Sequence, residues 1–396
     1  MNSLFLRRGA ERRLRGGHLW VYSNEVDTER SRLTGFAAGD AVAVRDNGGH
    51  LMGSAYMDPQ SLICARLYTH REERALDRDF CVARLRSALA LRERFFDLPY
   101  YRLIYGDSDG LPGVVLDRYG ECLVLQLNNP GLEPYREVLR DAIAQVLAPA
   151  AVLLRRDSRS RREQGGEDAS ETLLGTLPEQ LSLEENGCLF RVPASSGQKT
   201  GWFYDHRLSR ARLAQLAAGA RVLDVYCYMG GWGLQAAVAG ARDVSFVDSS
   251  APALDAVLAN AALNGVAERV RTLRGGAPDV MSELRAAGER FDIVVLDPPA
   301  FVQRRKDLKK GITAYRRINE LALGLLEPGG LLVSASCSMH LARADLIGAM
   351  QQAAVRAGCA LQIVEQGGQG PDHPVHPAIP ETEYLKTVFA RKAEGL

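Results

Sequence analysis

The second half of the chain constrains the fold most, because short apolar runs alternate there with amphipathic stretches from about residue 190 onward. This alternation predicts a mainly parallel sheet with helices on both faces. The predicted strands cover 221–226, 244–248, 269–273, 291–297, 330–337, 361–365 and 384–390, and the predicted helices follow Gly231 and cover 252–263, 279–287, 314–326 and 341–356. Ligands of such sheets bind at the carboxyl ends of the strands, so the residues that end these strands are candidates for a functional site.

The first half of the chain has a different pattern. Residues 1–73 hold short β-like runs separated by glycines, which predicts a small β-rich domain. Residues 74–189 mix helical and strand patterns, which predicts a middle α/β domain. Its predicted elements are a helix within 73–97, strands at 113–116 and 122–127, and a helix at 134–147. With 190–396 as the third domain, the α/β chain has the two or three domains that 396 residues suggest.

Targeting signals and metal-binding patterns are missing from the sequence. The amino-terminal segment is basic but holds no apolar run long enough for a secretory signal, and the longest apolar runs are strand-sized. We therefore expect a cytoplasmic protein with no membrane partner. The seven cysteines form no CxxC pair and no histidine has metal spacing, which argues against a disulfide framework and a metal site. The formal charge of +1 gives no overall attraction to nucleic acid.

The predicted cofactor site is the segment LDVYCYMGGWG, residues 223–233, which follows the first strand of the sheet. Asp224 ends the strand, and a glycine-rich turn comes next. The glycines are Gly230, Gly231 and Gly233. Because glycine has no Cβ, backbone amides of such a turn can approach a ligand at the start of the following helix. A glycine turn needed only for packing the strand against the helix remains a second interpretation.

This loop alone fits more than one nucleoside cofactor. Two of its glycines and Ala236 also match the dinucleotide pattern GxGxxA, and Asp248 at the end of the next strand can hold the ribose of NAD or of another nucleoside. Asp224 and Tyr226 precede the glycines, where a carboxylate suits a cationic amino-acid group and repels a pyrophosphate. We therefore predict S-adenosylmethionine.

Two further strand ends carry candidate chemistry. The fourth strand ends in DPPAF, residues 297–301, where consecutive prolines make a rigid turn that can present Asp297 to a planar base or can simply end the strand. The fifth strand ends at Cys337, whose serine neighbours make a polar setting that suits a reachable thiolate. We expect the other cysteines to be small packing residues, with Cys227 beneath the glycine turn. They are Cys64, Cys81, Cys122, Cys188 and Cys359.

A thiol beside a methyl donor has a specific use. The C5 atom of a pyrimidine is a poor nucleophile until a thiolate adds at C6, whereas methylation of an amine or a ring nitrogen needs no thiol. Asp297 can hydrogen-bond the N3 and N4 edge of the pyrimidine in the adduct. We predict Cys337 and Asp297 as catalytic residues.

Basic clusters offset the neutral total charge. They lie within 7–15, 155–162 and 304–310, and the last follows the DPP turn, where it can contact phosphates beside a target nucleotide. The RNA-binding candidates are Arg12, Arg13, Lys199, Arg304, Arg305 and Lys306. Aromatic residues at 202–204 can stack on a base or on adenine or pack the sheet, and we assign Tyr204 and Arg207 to the cofactor.

Six motifs together give the chain a family resemblance. They are GHLWVYSNEV (17–26), GDSDGLPGVVLDRYG (106–120), KTGWFYDHR (199–207), DVYCYMGGWG (224–233), LDPPAF (296–301) and SCS (336–338). The chain resembles the bacterial 23S ribosomal RNA 5-methylcytosine methyltransferases over essentially its whole length. The resemblance implies an amino-terminal PUA domain, a middle α/β domain and a class I Rossmann-like methyltransferase domain. It further implies an S-adenosylmethionine site at 224–233 and Asp248, and Cys337 as the nucleophile.

The resemblance also implies a partner, 23S ribosomal RNA, either free or in an assembling large subunit, and leaves open whether the chain forms a homodimer. The sequence departs from the family pattern at Leu19, Ala300 and Asp279, the last of which lies further along than the usual adenine-binding acid. Two alternatives remain: a guanine or adenine N-methyltransferase acting on ribosomal RNA, and a non-catalytic RNA-binding protein. A nicotinamide dehydrogenase fits the glycine loop alone.

Overall fold

The structure is a computed structural model that describes residues 1–155, 170–194 and 201–393. The chain divides into two compact units, of which the first contains 1–181, 193–202 and 371–382 and the second contains 182–192, 203–370 and 383–396. The limits of the three predicted domains, after residues 73 and 189, stay predictions.

The amino-terminal part of the first unit is a five-stranded sheet. Its strands and single helix are β1 (Asn2–Phe5), α1 (Glu11–Arg15), β2 (Trp20–Tyr22), β3 (Ala41–Arg45), β4 (Leu51–Met57) and β5 (Ile63–Leu67). The strand order is β1-β3-β4-β5-β2. Apolar side chains from this sheet, including Leu4, Val21 and Val44, form a buried core. The predicted β-rich character of this region is confirmed.

A second five-stranded sheet, of order β10-β9-β8-β7-β6, belongs to the same unit and is covered by two helices. Its elements are α2 (Arg78–Arg92), β6 (Tyr100–Tyr105), β7 (Val114–Tyr119), β8 (Cys122–Leu127), α3 (Arg136–Leu147), β9 (Ala151–Arg155) and β10 (Ser170–Gly175). Helix α2 begins at an N-cap, Asp77, whose side chain accepts a hydrogen bond from the Phe80 amide at 2.8 Å. The apolar face of the helix, with Phe80 and Leu85, packs in the core of this sheet.

The second unit contains a seven-stranded sheet of order β15-β14-β13-β16-β17-β19-β18, in which only β19 runs antiparallel to its neighbours. Its strands are β13 (Arg221–Val225), β14 (Asp243–Asp248), β15 (Val270–Arg274), β16 (Phe291–Leu296), β17 (Leu326–Ser336), β18 (Ala360–Gly367) and β19 (Lys386–Ala393). A short hairpin precedes it, with β11 (Gln180–Glu185) and β12 (Cys188–Pro193). The strand order reverses beside β13, so the carboxyl ends of β13, β14, β16 and β17 share one edge.

The helices of this unit lie between the strands, as the alternating pattern predicts. They are α4 (Arg207–Leu216), α5 (Gly233–Val238), α6 (Ala251–Leu263), α7 (Ala277–Ala286), α8 (Leu308–Leu325) and α9 (Arg343–Arg356). Helix α8 begins six residues before the predicted start at 314. The sequence pattern did not predict this start because Gly311 weakens the helical pattern. The glycine is needed for close packing, since a Cβ atom at this position would lie 2.2 Å from a Val302 methyl carbon.

The predicted strand at 330–337 also begins earlier, at Leu326. The pairing of β17 with β16 shifts register between Phe291 and Ile293, and this irregularity accommodates the turn-like Glu-Pro-Gly-Gly segment within the strand. Within the described parts of the chain, no helix has the length and apolar character needed to cross a membrane.

Candidate active site

The glycine loop after β13 follows an unusual backbone path. Tyr226 and Tyr228 have φ angles of 64° and 50°, and Gly230 has a φ of 83°. Non-glycine residues avoid this left-handed region, so the surrounding fold must hold them there. The Tyr226 amide donates to the Val247 carbonyl at 2.9 Å, which ties the loop to β14. Together these contacts give the predicted cofactor loop a fixed shape.

Gly233 is required by close packing at the start of α5. A Cβ atom on this residue would lie 2.4 Å from a carbon of the Phe246 ring. The Gly233 amide donates to Asp224 Oδ2 at 2.8 Å, so the strand-ending carboxylate holds the helix start in place. Gly231 is buried within the same turn. The predicted glycines thus include one that adopts a positive φ, Gly230, and one that allows close approach.

Asp224 lies deeper than the sequence suggests. Its side chain has no exposed surface. Burial raises the pKa of Asp224 to about 7, the Gly233 amide opposes this shift, and the neighbouring carboxylates of Asp297 and Asp248 add to it. Its Oδ1 atom is buried and accepts no hydrogen bond from the described residues. In this conformation Asp224 shapes the loop, and its contact with a cofactor stays a prediction.

Asp248 ends β14 at the same edge of the sheet. Its Oδ2 accepts a hydrogen bond from the Tyr228 amide at 3.0 Å, and its Oδ1 accepts one from the Ser250 amide at 2.9 Å. The carboxylate therefore joins the glycine loop to the start of α6. Each oxygen keeps a lone pair for a further donor, which suits a ribose hydroxyl.

Asp297, the acid of the DPP turn, is held by two buried rings that the sequence analysis did not assign. His206 Nε2 lies 3.2 Å from Asp297 Oδ1, and Trp232 Nε1 donates to Asp297 Oδ2 at 3.0 Å. Burial by itself would raise the pKa of Asp297, but the His206 ring and the Trp232 donor outweigh burial and hold the pKa below its usual range. Trp232 lies inside the glycine motif, and His206 lies inside KTGWFYDHR. Their positions in these two motifs were the only sequence features that could have indicated a role at the site.

A buried ionic cluster lies next to this group. Glu185 is only 2% exposed and pairs with Arg210 at 2.8 Å and with Arg207 at 3.5 Å. Gln235 on α5 also donates to Glu185, at 2.9 Å. Arg207 therefore neutralises an internal carboxylate. Tyr204, which lies 5.2 Å beneath the Arg207 guanidinium, has no exposed surface. The structure gives both residues packing and ion-pair contacts here, and their assignment to the cofactor stays a prediction.

Cys337 follows β17 directly and is half-buried, whereas its neighbours Ser336 and Ser338 are fully buried. The Tyr315 hydroxyl on α8 is hydrogen-bonded to both serine hydroxyls, at 2.7 Å and 3.0 Å. The Val302 amide donates to Ser338 Oγ at 3.2 Å. This network fixes the cysteine loop to the segment that follows the DPP turn.

Lys386 is a further neighbour of Cys337 that sequence reasoning missed. It lies on β19 opposite Ser336 and is 7% exposed. Its Nζ donates to the carbonyls of Ser338 and Tyr384, at 2.7 Å and 2.9 Å. Burial lowers the pKa of Lys386, while the nearby Cys337 sulfur opposes that shift. A cation therefore lies beside the candidate thiol, which favours the thiolate form.

The six other cysteines are all partly or fully buried. Burial raises the pKa of the Cys227 thiol well above its usual value, in agreement with a packing role beneath the glycine turn. Burial also raises the thiol pKa values of the remaining five. Three of them, Cys64, Cys81 and Cys188, are fully buried, and Cys122 and Cys359 are half-buried.

The predicted RNA-binding residues differ in their surroundings. Arg304, Arg305 and Lys306 are all exposed, around a short 3₁₀ turn before α8. Arg12 is exposed as well, whereas Arg13 donates to both oxygens of Glu25, at 2.7 Å and 2.8 Å. The structure thus commits the Arg13 charge to an internal pair. Lys199 and residues 156–162 of the middle cluster lie outside the described residues, and Arg155 is buried.

This edge of the sheet fits a cofactor with a nucleoside and a cationic group. The loop offers glycines without Cβ atoms, and Asp248 offers carboxylate oxygens that can accept a hydrogen bond from a ribose hydroxyl. Three carboxylates, Asp224, Asp248 and Asp297, interact electrostatically around it. Asp297 keeps its negative charge, which attracts a sulfonium or an ammonium group and repels the pyrophosphate of NAD. The unpaired Asp224 Oδ1 can accept one more donor.

Comparisons with known proteins agree with this geometry. A family model described as S-adenosylmethionine-dependent methyltransferase matches residues 114–389, and one described as PUA-like domain matches residues 4–70. The chain belongs to the S-adenosylmethionine-dependent methyltransferase family, has the class I fold with an amino-terminal PUA-like domain, and uses S-adenosylmethionine as its cofactor.

Particular relatives cover nearly the whole chain. It is 38% identical over 392 residues to ribosomal RNA large subunit methyltransferase I of Shewanella denitrificans, with 98% of each chain covered. It is 37% identical over 389 residues to the protein of the same name of Photobacterium profundum, covering 97% of this chain and 98% of that one. Among solved structures, a putative methyltransferase, SMU.776, complexed with SAH, shares 22% identity and a TM-score of 0.85 over 99% of this chain and all of that one, which shows the common fold.

Proposed function

We propose that this chain methylates C5 of a cytosine in 23S ribosomal RNA through a covalent bond between Cys337 and C6. The observation that carries the proposal is the tie between two neighbouring strand ends. Strands β16 and β17 pair side by side, and Ser338 and Tyr315 connect the cysteine loop to the segment after DPP. A reachable thiol and an ionised carboxylate are thereby kept at one edge of the sheet.

The reaction needs a nucleophile at C6 before C5 can accept a methyl group. The Cys337 thiolate adds to C6, and the electron pair of the C5–C6 double bond shifts to C5, which then forms the new bond to carbon. S-adenosylmethionine would supply the electrophilic methyl group and would leave as S-adenosylhomocysteine when the bond from its sulfur to that methyl carbon breaks. A base next removes the proton on C5, the double bond re-forms, and the thiolate leaves C6. Every bond made to sulfur is therefore broken again, and the thiol acts as a catalyst.

The remaining side chains prepare these steps. Lys386 is a cation close to the thiol, so it stabilises the thiolate both before addition and after release. Asp297 stays ionised because His206 and Trp232 donate toward it. An ionised carboxylate accepts a hydrogen bond from the exocyclic amine of cytosine and so selects that base by its edge.

The RNA partner is supported by separate observations. Two relatives that align over nearly the full chain are named as methyltransferases of large-subunit ribosomal RNA. The chain carries a PUA-like domain, and the exposed basic residues 304–306 directly follow the DPP turn. Cations in this place neutralise the phosphates that flank an inserted base. A cytoplasmic location, where ribosomal RNA is assembled, forms part of the same proposal.

The decisive experiment replaces the nucleophile. We expect Cys337→Ala to lower methyl transfer to undermodified 23S ribosomal RNA at least ~10³-fold, as removal of a covalent nucleophile does in other enzymes, while S-adenosylmethionine still binds. Cys359→Ala, at another half-buried cysteine, is the matched control and should keep full activity. Mass spectrometry of the digested RNA measures 5-methylcytidine, and calorimetry measures cofactor binding.

A trapping experiment tests the adduct itself. RNA with 5-fluorocytidine at the target lacks the C5 proton, so the wild-type enzyme should remain covalently attached and the Cys337→Ala variant should not. Unchanged cytosine methylation by Cys337→Ala would disprove the mechanism. Methylguanosine or methyladenosine in the digest would instead identify an N-methyltransferase, and cofactor binding without any methyl transfer would identify a non-catalytic RNA-binding protein.

A further inference from the structure

The first unit contains a groove that the methylation reaction does not use. Its volume is about 550 Å³, within the range of ligand sites in proteins. The floor is the turn 107–110, part of the GDSDGLPG motif, and the walls come from one face of α2 and from the end of β5. Lining residues with polar groups include His70, Arg84, Arg94, Ser108 and His376.

Both acidic residues of the groove floor accept hydrogen bonds from within the protein, Asp109 from a cation and Asp107 from a neutral indole. Both oxygens of Asp109 accept hydrogen bonds from the buried Arg92 guanidinium, at 2.6 Å and 2.7 Å. Asp107 accepts one from Trp20 Nε1 at 2.8 Å. Ser108, between them, has a buried hydroxyl that finds no hydrogen-bond partner among the described residues. The turn thus keeps one hydroxyl for a ligand while its Asp109 charge is neutralised.

The walls of the groove are basic. Arg84 and Arg94 point from α2 and from the turn that follows it, and neither forms an ion pair within the described part of the chain. Ten residues at 1.5 Å each separate them by about 15 Å along the helix axis. Their backbone positions are therefore far enough apart for the two guanidinium groups to contact separate phosphates of one strand.

Two histidine rings complete the lining and provide flat surfaces. His70 and His376 are close enough for His376 to contribute to lowering the pKa of His70, after the larger effect of burial. Imidazole rings stack on unpaired bases, and single-stranded RNA is the nucleic acid that offers such bases. An open groove with separated cations and stacking rings therefore suits an extended strand better than a compact anion.

We infer that this groove binds a single-stranded segment of the RNA substrate, with Arg84 and Arg94 on its phosphates and Ser108 as a hydrogen-bond donor at its floor. The inference rests on the proposed function, since it assigns the same RNA a second point of contact. The groove determines how tightly the substrate is held, and the chemistry at Cys337 proceeds unchanged once RNA is bound.

The test compares two pairs of arginine substitutions on the same helix. In Arg84→Gln/Arg94→Gln both groove cations are lost, whereas in Arg78→Gln/Arg86→Gln two exposed arginines outside the groove are lost. We expect the groove pair to raise the Kd for an undermodified 23S ribosomal RNA fragment at least tenfold and to reduce the salt slope by about 1.4, because each phosphate contact of a single strand contributes about 0.7. The other pair should stay within about twofold of the wild type.

Further measurements separate the groove from the active site and from misfolding. S-adenosylmethionine affinity and kcat at saturating RNA should not change in the groove pair, while KM for RNA rises. Arg84 lies 4.9 Å over the Phe80 ring, so Arg94→Gln alone, at an exposed side chain, tests the groove without that packing contact. Ser108→Ala should weaken RNA binding a fewfold and leave thermal stability unchanged.

Three results would overturn the inference. Equal losses in both arginine pairs would show a general charge effect, and unchanged RNA affinity in the groove pair would leave the proposed methylation standing without the groove. Displacement of the RNA fragment from this groove by millimolar AMP or inorganic phosphate would identify a small-anion site. If wild-type protein neither binds nor methylates the RNA, the proposed function itself fails.

Discussion

The loop after β13 and the loop after β17 lie at the same edge of one sheet but are built by different means. Backbone geometry shapes the first, with three residues at positive φ and a glycine that lies against a phenylalanine ring. Side chains shape the second, through two serine hydroxyls, Tyr315 and Lys386. The first arrangement suits a loop that must fit the surface of a cofactor, and the second suits a loop that must hold one reactive sulfur.

The acids that end neighbouring strands β13 and β16 show the same contrast in charge. Burial removes the carboxyl groups of both Asp224 and Asp297 from water. Nevertheless, the pKa of Asp224 is raised to about 7, whereas the pKa of Asp297 is lowered. The difference lies in their partners, because Asp224 receives one backbone amide whereas Asp297 receives a histidine ring and an indole N–H. Donors, rather than depth alone, decide which carboxylate is ionised.

The largest effect on stability is expected for the backbone-built loop. Gly233→Ala places a Cβ atom 2.4 Å from the Phe246 ring, so it should lower the free energy of unfolding by about 3 kcal/mol, at the upper end of overpacking costs. S-adenosylmethionine affinity should fall with it. Gly348→Ala in α9 is the matched control, because a Cβ there meets nothing within 4 Å and should stabilise the helix. Urea denaturation measures the free energy of unfolding of both variants. An equal change in Gly233→Ala and Gly348→Ala would contradict the packing argument.

Asp224→Asn tests the uncharged carboxyl. The unfolded carboxyl titrates near 3.8 and the folded one near 7, so between these values the unfolded chain releases a proton that the folded chain keeps. Stability is therefore lost as pH rises toward 7, and an asparagine avoids this loss. Relative to the wild type, the variant should gain about 2 to 3 kcal/mol in free energy of unfolding from pH 5 to pH 8, at 1.36 kcal/mol per pKa unit.

The measurement for Asp224→Asn is urea denaturation of the cofactor-free protein at both pH values. Asp255→Asn, an exposed acid on α6, controls for the loss of a carboxylate. A constant difference between Asp224→Asn and the wild type at both pH values would show that Asp224 is ionised in the fold.

The next effect concerns the side-chain-built loop, for which β19 provides a matched pair. Lys386 lies by Cys337 and Lys392 lies by Cys359, and each donates to two backbone carbonyls. Lys386→Met removes the cation beside the proposed nucleophile, so the thiol pKa should rise and the acidic limb of the rate profile should move up by about one pH unit. Lys392→Met should leave the profile in place. If both variants shift the pH–rate profile equally, Lys386 has only a structural role.

The smallest effect is expected at Ser338. Ser338→Ala removes the acceptor of the buried Val302 amide and one partner of Tyr315, which should cost about 1 kcal/mol of stability. Methyl transfer should fall severalfold, whereas cofactor affinity should not change because the glycine loop is untouched. Ser282→Ala, at an exposed hydroxyl on α7, is the control for loss of a hydroxyl. A parallel fall in cofactor affinity would show that the two loops are not independent.

Residue patterns predicted the sheet and its functional edge because alternating apolar strands leave few other topologies. The same patterns predicted that Cys337, Asp297 and the glycines of the loop lie at strand ends, and their functional roles stay predictions. The partners of these residues could not be found, since His206, Glu185 and Lys386 reach the edge only through long-range folding. Tyr204 and Arg207 show the same limit of sequence reasoning. The sequence does not tell whether an aromatic ring or a cation near a motif contacts a ligand or packs inside the protein, where Arg207 pairs with the buried Glu185.

The two tyrosines at positive φ in the cofactor loop have an evolutionary consequence. A left-handed backbone costs a residue with a side chain about 1 kcal/mol or more, whereas glycine adopts it freely. Random drift should therefore replace Tyr226 and Tyr228 with glycine or asparagine unless the rings themselves are selected. Tyrosine at both positions throughout the relatives would mark side chains that are kept at the expense of stability.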